Sequence, residues 1–153
     1  MSVAFRSLLI GVDGSPNSRR AVSFVARWKP PRGGRATVVR VVEPVRLPSV
    51  GLLPGSVRAE LGAQAAMLEQ ARVRTARRDV ERGAQWLERA GWRARGEVRS
   101  GVPLAELLRA ANAARADLLV LGARGTGGIS RFLLGSVADA VTKRAPIAVL
   151  IVK

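Results

Sequence analysis

Short apolar segments alternate with longer amphipathic segments along the whole chain, and this pattern predicts five strands and four helices. A short apolar run bounded by glycine, proline or aspartate is typical of a strand, whereas apolar residues spaced three or four apart indicate a helix. The predicted strands cover residues 5–12, 36–42, 92–98, 117–121 and 146–152. The predicted helices cover residues 16–28, residues 56–90, a segment that begins at 103 and a segment that ends near 144.

This regular alternation favours an α/β fold, in which an open, parallel, five-stranded sheet carries helices on both faces. The length of 153 residues suits a single domain, 1–153. Right-handed crossovers favour the strand order 3-2-1-4-5, in which the winding reverses between strands 1 and 4. Ligands of such sheets bind at the reversal, beyond the carboxyl ends of the strands. Asp13 ends strand 1 and Gly122 ends strand 4, so we expect both residues at a binding crevice.

The helix predicted over residues 56–90 is the longest element, and an irregular loop over residues 43–55 precedes it. A stripe of apolar side chains is expected to pack the helix against the sheet. The members of this expected stripe are Leu61, Ala65, Leu68, Val73, Ala76, Val80, Trp86 and Leu87.

A glycine-rich stretch, GARGTGGISRFLLGS at residues 122–136, follows the fourth predicted strand and opens the last helix. Glycine lets backbone N–H groups approach an anion, and the start of a helix favours negative charge. Gly135 and Ser136 are expected at that helix start, where Ser136 offers both an N–H and a hydroxyl. The stretch therefore indicates a phosphate site, although a plain surface loop is also compatible with its composition.

The spacing of this stretch resembles the nucleotide-binding signature of the universal stress protein family. The resemblance lies in Gly122, two residues, Gly125, nine residues, then Gly135 and Ser136, with an ending that reads LGSV. The opening segment VDGS, residues 12–15, matches as well, and the resemblance extends over essentially the whole chain. It implies a Rossmann-like, adenine nucleotide alpha hydrolase-like fold with the same 3-2-1-4-5 order.

The resemblance also implies a set of nucleotide contacts. Asp13 and the main chain of Val41 would contact the base, Gly122 would pack against the ribose, and Gly125, Gly135 and Ser136 would hold the phosphates. Family members often carry a hydroxyl where this chain has Ala138, which puts one phosphate contact in doubt. The full set of expected cofactor-binding residues is Val12, Asp13, Val41, Gly122, Arg124, Gly125, Gly135, Ser136, Val137 and Ala138.

Several of these residues have a purely structural alternative. Asp13 is also suited to an Asx turn that starts a helix, and Ser136 is also suited to an N-cap. Arg124 and Arg131 would screen phosphate charge or simply be solvated surface. Val41 is a strand residue in either case, because only its backbone would meet the ligand.

The residue inventory argues against catalysis. The chain has no cysteine, no histidine and no tyrosine, which excludes thiolate chemistry, disulfides and histidine-based catalysis. The lysine-bearing phosphate loop of ATPases is absent. Asp13 would help to hold Mg²⁺ on the phosphates of ATP, but one carboxylate does not make a hydrolase. We expect no enzyme activity beyond slow ATP hydrolysis.

The net charge of +15 favours anionic partners. The arginines look scattered, however, and no recognition motif or array of stacking aromatic residues accompanies them, so specific nucleic-acid binding is not expected. The scattered arginines of the predicted long helix are Arg72, Arg74, Arg77, Arg78, Arg82 and Arg89. No signal-peptide pattern precedes the first strand and no apolar run is long enough to span a bilayer, so we expect a cytoplasmic protein with no membrane partner.

The last predicted strand is apolar on both faces, which suggests how the protein assembles. An exposed strand of this kind invites pairing with another strand. Twofold antiparallel pairing through Pro146 to Val152 would bury it, and the family resemblance implies the same homodimer. The alternative is that the strand is covered within the monomer.

These observations lead to one main hypothesis and three alternatives. The main hypothesis is an ATP-binding regulatory module that acts in stress response as a homodimer, without a known protein partner. The alternatives are a family member that binds cyclic AMP or no nucleotide, a basic nucleic-acid-associated protein, and an ATPase.

Overall fold

A computed structural model describes residues 5–47, 51–124 and 134–153. Five parallel strands form one sheet in the order β3-β2-β1-β4-β5, which confirms the order expected from the sequence. The strands are β1 (Ser7–Gly11), β2 (Arg35–Val42), β3 (Arg93–Ser100), β4 (Leu118–Gly122) and β5 (Ala148–Val152). The helices are α1 (Pro16–Ala26), α2 (Gly55–Arg89), α3 (Pro103–Ala113) and α4 (Ser136–Arg144).

The sheet carries two helices on each face, as predicted. Side chains of β1 alternate between the two faces, so that Leu8 and Ile10 join one core cluster while Leu9 joins the other. The first cluster packs under α1 and α2, and the second packs under α3 and α4. All three side chains have no exposed surface. Burial on both faces explains why β1 reads as a continuous apolar run.

The predicted strand and helix boundaries differ from the structure by a few residues. Strand β3 extends to Ser100, beyond the predicted end at 98, and Trp92 precedes it. Arg93, Arg95 and Ser100 are exposed on this strand, which lies at one edge of the sheet as its alternating sequence suggests. Strand β5 lies at the opposite edge.

Only the second half of α2 packs as predicted. Ala76, Val80 and Leu87 of the expected stripe are buried, but Leu68 is 47% exposed and Trp86 is 45% exposed. The reason is length, since a helix of 35 residues is about 52 Å long and a strand of 8 residues spans only about 26 Å. The first part of α2 therefore projects beyond the strands it follows. Trp86, by contrast, lies within the packed half but points away from the core.

No helix in the described parts of the chain is both long enough and apolar enough to cross a membrane. The long helix α2 is the only element with sufficient length among these parts, and charged side chains interrupt it throughout.

Candidate functional site

The candidate site lies where β1 and β4 end side by side at the centre of the sheet. Gly11 at the end of β1 is paired in register with Leu121, one residue before the end of β4. The chain then enters α1 from β1 and approaches α4 from β4. Asp13, which follows β1, and Gly122, the last residue of β4, are thereby brought to the predicted crevice at the reversal of strand order.

Asp13 shapes the loop between β1 and α1. Its Oδ1 atom accepts a hydrogen bond of 2.9 Å from the N–H of Ser15, which is an Asx turn. Ser15 is the N-cap of α1, and its Oγ atom accepts a hydrogen bond of 3.1 Å from the N–H of Ser18. The structural role considered for Asp13 is therefore present. Any contact of Asp13 with a ligand would thus come from a side chain that its hydrogen bond with Ser15 already orients.

Gly14 requires a left-handed backbone conformation, with φ of 83°. A Cβ atom here would lie 3.1 Å from Nη1 of Arg40 and 3.2 Å from Oδ2 of Asp79, which form an ion pair between β2 and α2. On its other side the carbonyl of Gly14 accepts a hydrogen bond of 2.7 Å from Arg19. The ion pair beneath this loop is a feature that sequence reasoning missed, because 39 residues separate its members.

Gly122 is required by the packing of α1. A Cβ atom at this position would lie 2.7 Å from the carbonyl carbon of Asn17 and 2.9 Å from the backbone nitrogen of Ser18. Real Cβ atoms essentially never come so close to backbone. The sequence predicts a ribose contact for Gly122. Its close approach to the first turn of α1 explains the glycine without any ligand.

The main chain of Val41 faces the opening beyond the end of β1. The N–H of Val12 donates to the carbonyl of Val39 at 2.8 Å, whereas the N–H of Gly101 donates to the carbonyl of Val42 at 3.1 Å. In a parallel ladder alternate residues serve opposite neighbours, so odd residues of β2 face β1 and even residues face β3. Val41 therefore directs its N–H and carbonyl toward the crevice, past the last backbone hydrogen bond between β1 and β2 in the described chain.

Val12 contributes differently from Val41. Its side chain is half buried against the first core cluster, and its N–H is used by the ladder to Val39. The side chain of Val12 therefore serves as an apolar wall of the crevice, and its N–H is not available to a ligand.

The start of α4 lies next to the exit of β4. Gly135 is the N-cap of this helix, and its N–H donates to the carbonyl of Ala123 at 2.9 Å. The alternative that Ser136 is the N-cap is wrong, since the first helical hydrogen bond runs from Asp139 to the carbonyl of Gly135. No side chain in the described residues caps the first turn. Its backbone N–H groups, from Ser136 to Ala138, are the donors suited to an anion.

Side-chain exposure differs among the first residues of α4. Ser136 is exposed, whereas Ala138 is only 4% exposed and packs in the second core cluster. Val137 is half buried against the same cluster. Ala138 can therefore offer an anion its N–H alone.

Arg124 is half buried just after β4, and its carbonyl accepts a hydrogen bond of 3.5 Å from Oγ of Ser15. This bond ties the exit of β4 to the start of α1. Gly125 and Arg131, also expected at the site, lie outside the described residues.

A cluster of charged side chains stands beside Val41, at the carboxyl end of β3. Nε of Arg99 donates to Glu106 of α3 at 2.8 Å, and Arg99 also pairs with Glu97. Glu106, only 8% exposed, accepts a further bond from Arg109. Hydrogen bonds from Arg99 and then from Arg109 lower the pKa of Glu106, and the bond to Glu106 is the largest cause of the raised pKa of Arg99. These groups neutralise one another, and the ion pair of Arg99 with Glu106 links α3 to β3.

The described ranges contain no cluster of side chains suited to a metal ion. No group of three or more carboxylates gathers in them, and the chain contains no histidine or cysteine. Asp13 is the carboxylate that the expected site contributes.

The chain is similar in sequence to curated proteins over almost its whole length. It is 31% identical to a universal stress protein of Thermus aquaticus, over 97% of this chain and 99% of that protein. It is 30% identical to a universal stress protein of Methanocaldococcus jannaschii, over 97% of this chain and 82% of that protein.

Solved structures share the fold at lower sequence identity. The universal stress protein UspA of Lactobacillus plantarum superposes with a TM-score of 0.78 and 22% identity, over 99% of this chain and 100% of that chain. A universal stress protein in complex with cAMP gives a TM-score of 0.61 at 24% identity, over 98% of each chain. One from Archaeoglobus fulgidus in complex with dAMP gives 0.63 at 18% identity, over 99% of this chain and 100% of that chain.

The similarity to this family extends over almost the whole sequence, beyond the pairwise matches to individual proteins. The sequence profile described as "Universal stress protein family" matches residues 4–153. That range includes all five strands, the ends of β1 and β4 that border the crevice, and the first turn of α4. The chain therefore belongs to the universal stress protein family.

Proposed function

We propose that this protein binds ATP in the crevice between the ends of β1 and β4 and acts as a regulatory module in stress response. The observation that carries the proposal is the start of α4. Its first turn has no side-chain cap in the described residues, and it is tied by Gly135 to Ala123 beside the crevice. Backbone N–H groups and the helix dipole there favour an anion.

In this proposal the phosphates lie at the first turn of α4. The N–H groups of Ser136, Val137 and Ala138, together with the hydroxyl of Ser136, supply the donors, and Gly125 and Gly135 let the backbone come close. The half-buried Arg124 adds positive charge next to the turn. Because the side chain of Ala138 is buried and apolar, we propose one hydrogen bond fewer to phosphate than a serine or threonine would provide.

The base and the ribose would occupy the other side of the crevice. Val41 directs main-chain groups toward the opening past β1, which are suited to the edge of a purine. Asp13, held by its turn to Ser15, would accept a hydrogen bond from the base or the sugar. Gly122 and Val12 would form the surface against which the ribose packs.

Two ligands of the structural neighbours support the choice of an adenine nucleotide, since complexes with cAMP and dAMP are known within this fold. ATP is proposed over these because the first turn of α4, which no described side chain caps, and the basic Arg124 suit several phosphates rather than one. Cyclic AMP is the second candidate. A direct titration distinguishes ATP from cyclic AMP by the affinity of the protein for each nucleotide.

Mg²⁺ would enter with the triphosphate. A single nearby carboxylate, that of Asp13, fits an ion held mainly by phosphate oxygens and water. The same shortage of catalytic groups leads us to propose binding with little or no turnover. Phosphate release during prolonged incubation with Mg-ATP is the assay, and turnover that Asp13→Asn removes while binding persists would establish an ATPase instead.

We further propose a homodimer that forms through the segment from Pro146 to Val152, which contains β5. Ala123 donates its N–H to the carbonyl of Val152 at 2.8 Å, so the even residues of β5 serve β4. The odd residues, Val149 and Ile151, therefore direct their N–H and carbonyl groups to the open edge, where a twofold-related strand would pair with them. A cytoplasmic location stays a prediction.

Calorimetric titration with Mg-ATP, cyclic AMP and GTP tests the ligand. Saturable binding of ATP that is tighter than binding of GTP is expected. Gly135→Val should abolish it, because a branched side chain at the N-cap projects where the phosphates would lie. The absence of heat with every nucleotide would overturn the proposal.

A further inference from the structure

Four of the seven arginines of α2 lie on one side of the helix. With about 100° between successive residues, Arg74, Arg78, Arg82 and Arg89 lie within an arc of about 80°. The buried residues of the helix, Ala76, Val80, Gly83, Ala84 and Leu87, lie on the opposite side. All four arginines are exposed. These four residues therefore form one solvent-facing row, about 22 Å long at 1.5 Å per residue.

Among the described residues, no ion pair joins a guanidinium group of this row to a carboxylate. The ion pairs among the described residues involve Arg40, Arg95, Arg99, Arg109 and Lys143, and none of them includes a member of the row. Like charges four residues apart on a helix repel one another. The row is therefore slightly unfavourable in the isolated protein, and a polyanion would relieve the repulsion.

An exposed tryptophan lies beside this row, just outside its arc. Trp86 follows Arg82 by four residues and precedes Arg89 by three, and it lies about 40° from Arg82 around the helix. Its side chain is 45% exposed, whereas Trp92, nearby in sequence, is only 3% exposed and belongs to the first core cluster. Trp86 contributes to neither core cluster. The exposed ring of Trp86 thus lies next to the positive charge of the row, where it is free to stack on a base.

We propose that this face of α2, defined by Arg74, Arg78, Arg82, Trp86 and Arg89, binds single-stranded nucleic acid without sequence preference. Arginines along a helix attract the phosphate backbone, and an exposed aromatic ring stacks on an unpaired base. The face is convex and extended, so it suits a strand rather than a mononucleotide. It lies on the solvent side of α2, which separates it from the crevice at the ends of β1 and β4.

The exposed ring of Trp86 is the feature that favours single-stranded over duplex nucleic acid. In a duplex the faces of the bases are stacked on one another and are not accessible to an indole ring. Charge alone would bind duplex at least as well, because its phosphate density is higher. A contribution from Trp86 is thus the specific mark of a single strand.

The test is fluorescence anisotropy of a labelled twenty-residue oligothymidine and of a duplex of the same length, over a series of salt concentrations. The wild type is expected to prefer the single strand, with a slope of log affinity against log salt of about −3 for four phosphate contacts. Trp86→Ala should weaken binding about tenfold, and Trp86→Phe should restore most of it. Arg78→Gln with Arg82→Gln should reduce the slope by about 1.4.

Arg58→Gln is the matched control, since it removes an exposed arginine of the same helix on a different side. It should leave the affinity nearly unchanged. Gly135→Val, which is designed to abolish ATP binding in the crevice, should also leave the affinity for single-stranded nucleic acid unchanged. Loss of one kind of binding can then be distinguished from loss of the other. Equal binding of duplex and single strand that Trp86→Ala does not alter would overturn the proposal, as would the absence of binding at low salt. Circular dichroism melting confirms that each variant folds.

Discussion

Gly122 lies directly against Asn17, so closely that a Cβ atom on Gly122 would stand 2.7 Å from the carbonyl carbon of Asn17. This contact joins the end of β4 to the first turn of α1 at the reversal of strand order. The glycine at the start of the nucleotide signature therefore has a role in folding that precedes any role in binding.

Gly122→Ala should destabilise the protein by about 1–3 kcal/mol, because a methyl group here overlaps backbone that cannot move freely. Nucleotide affinity should fall in the same variant, since α1 and the Asp13 turn must shift. Chemical denaturation and calorimetry measure the two effects. Gly62→Ala is the control, since nothing lies within 4 Å of a Cβ at that helical position. It should stabilise the protein by about 0.5–1 kcal/mol. Unchanged stability in Gly122→Ala would contradict the packing account.

Asp13 combines a structural hydrogen bond with the proposed ligand contact, and two substitutions separate them. Asp13→Asn keeps an oxygen that can accept from the N–H of Ser15, whereas Asp13→Ala does not. We expect both variants to lose nucleotide affinity, and Asp13→Ala alone to lose about 1 kcal/mol of stability. The measurements are thermal unfolding without ligand and calorimetry with Mg-ATP. If Asp13→Asn binds Mg-ATP as tightly as wild type does, the negative charge of Asp13 does not contribute to nucleotide binding.

Glu106 should make stability depend on pH. Hydrogen bonds from Arg99 and Arg109 lower its folded-state pKa below the ordinary value of 4.5. The contribution of Glu106 is therefore fully present above that ordinary value and is lost as the pH falls through the lowered one. Glu106→Gln should be less stable than wild type near neutral pH, and the difference should shrink below pH 4.5.

The check is denaturant unfolding of both proteins across this range, with the exposed Glu60→Gln as control. A difference between Glu106→Gln and wild type that stays constant down to pH 3 would contradict the assignment, since about 1.5 units below the ordinary value most of an unpaired carboxylate is protonated.

The open edge of β5 gives a test of the dimer. Val149→Pro removes an N–H that faces the open edge, whereas Leu150→Pro removes one that serves β4. Light scattering should show a dimer for wild type and a folded monomer for Val149→Pro. Leu150→Pro should lose much more stability, because it breaks the ladder within the monomer. A dimer that persists in Val149→Pro would place the interface elsewhere.

The sequence was sufficient for the fold because its signals are local. Strand and helix segments alternate, and the rule of right-handed crossovers then leaves the observed order. The exposure of Trp86 was not predictable in the same way. It depends on which side of α2 meets the sheet, and an apolar residue beside Leu87 looks like part of the stripe.

Within the site, the sequence predicted the places of Asp13, Gly122 and Gly135 and the Asx turn of Asp13, but not the contacts that distant segments make with this region. The pairing of Arg40 with Asp79 beneath Gly14 and the packing of Gly122 on Asn17 depend on contacts between distant segments. For Val41, the backbone register decided which neighbour its main chain faces, and a shift of one residue would have turned it toward β3.

Mapping of amide chemical shifts during titration with Mg-ATP tests the central claim most directly, because it locates the ligand as well as detecting it. We predict saturable shifts at Asp13, Val41 and Ser136 to Ala138, on both sides of the crevice, with little change along the solvent face of α2. Saturable shifts confined to other parts of the protein, or none at millimolar nucleotide, would contradict a nucleotide site at the ends of β1 and β4.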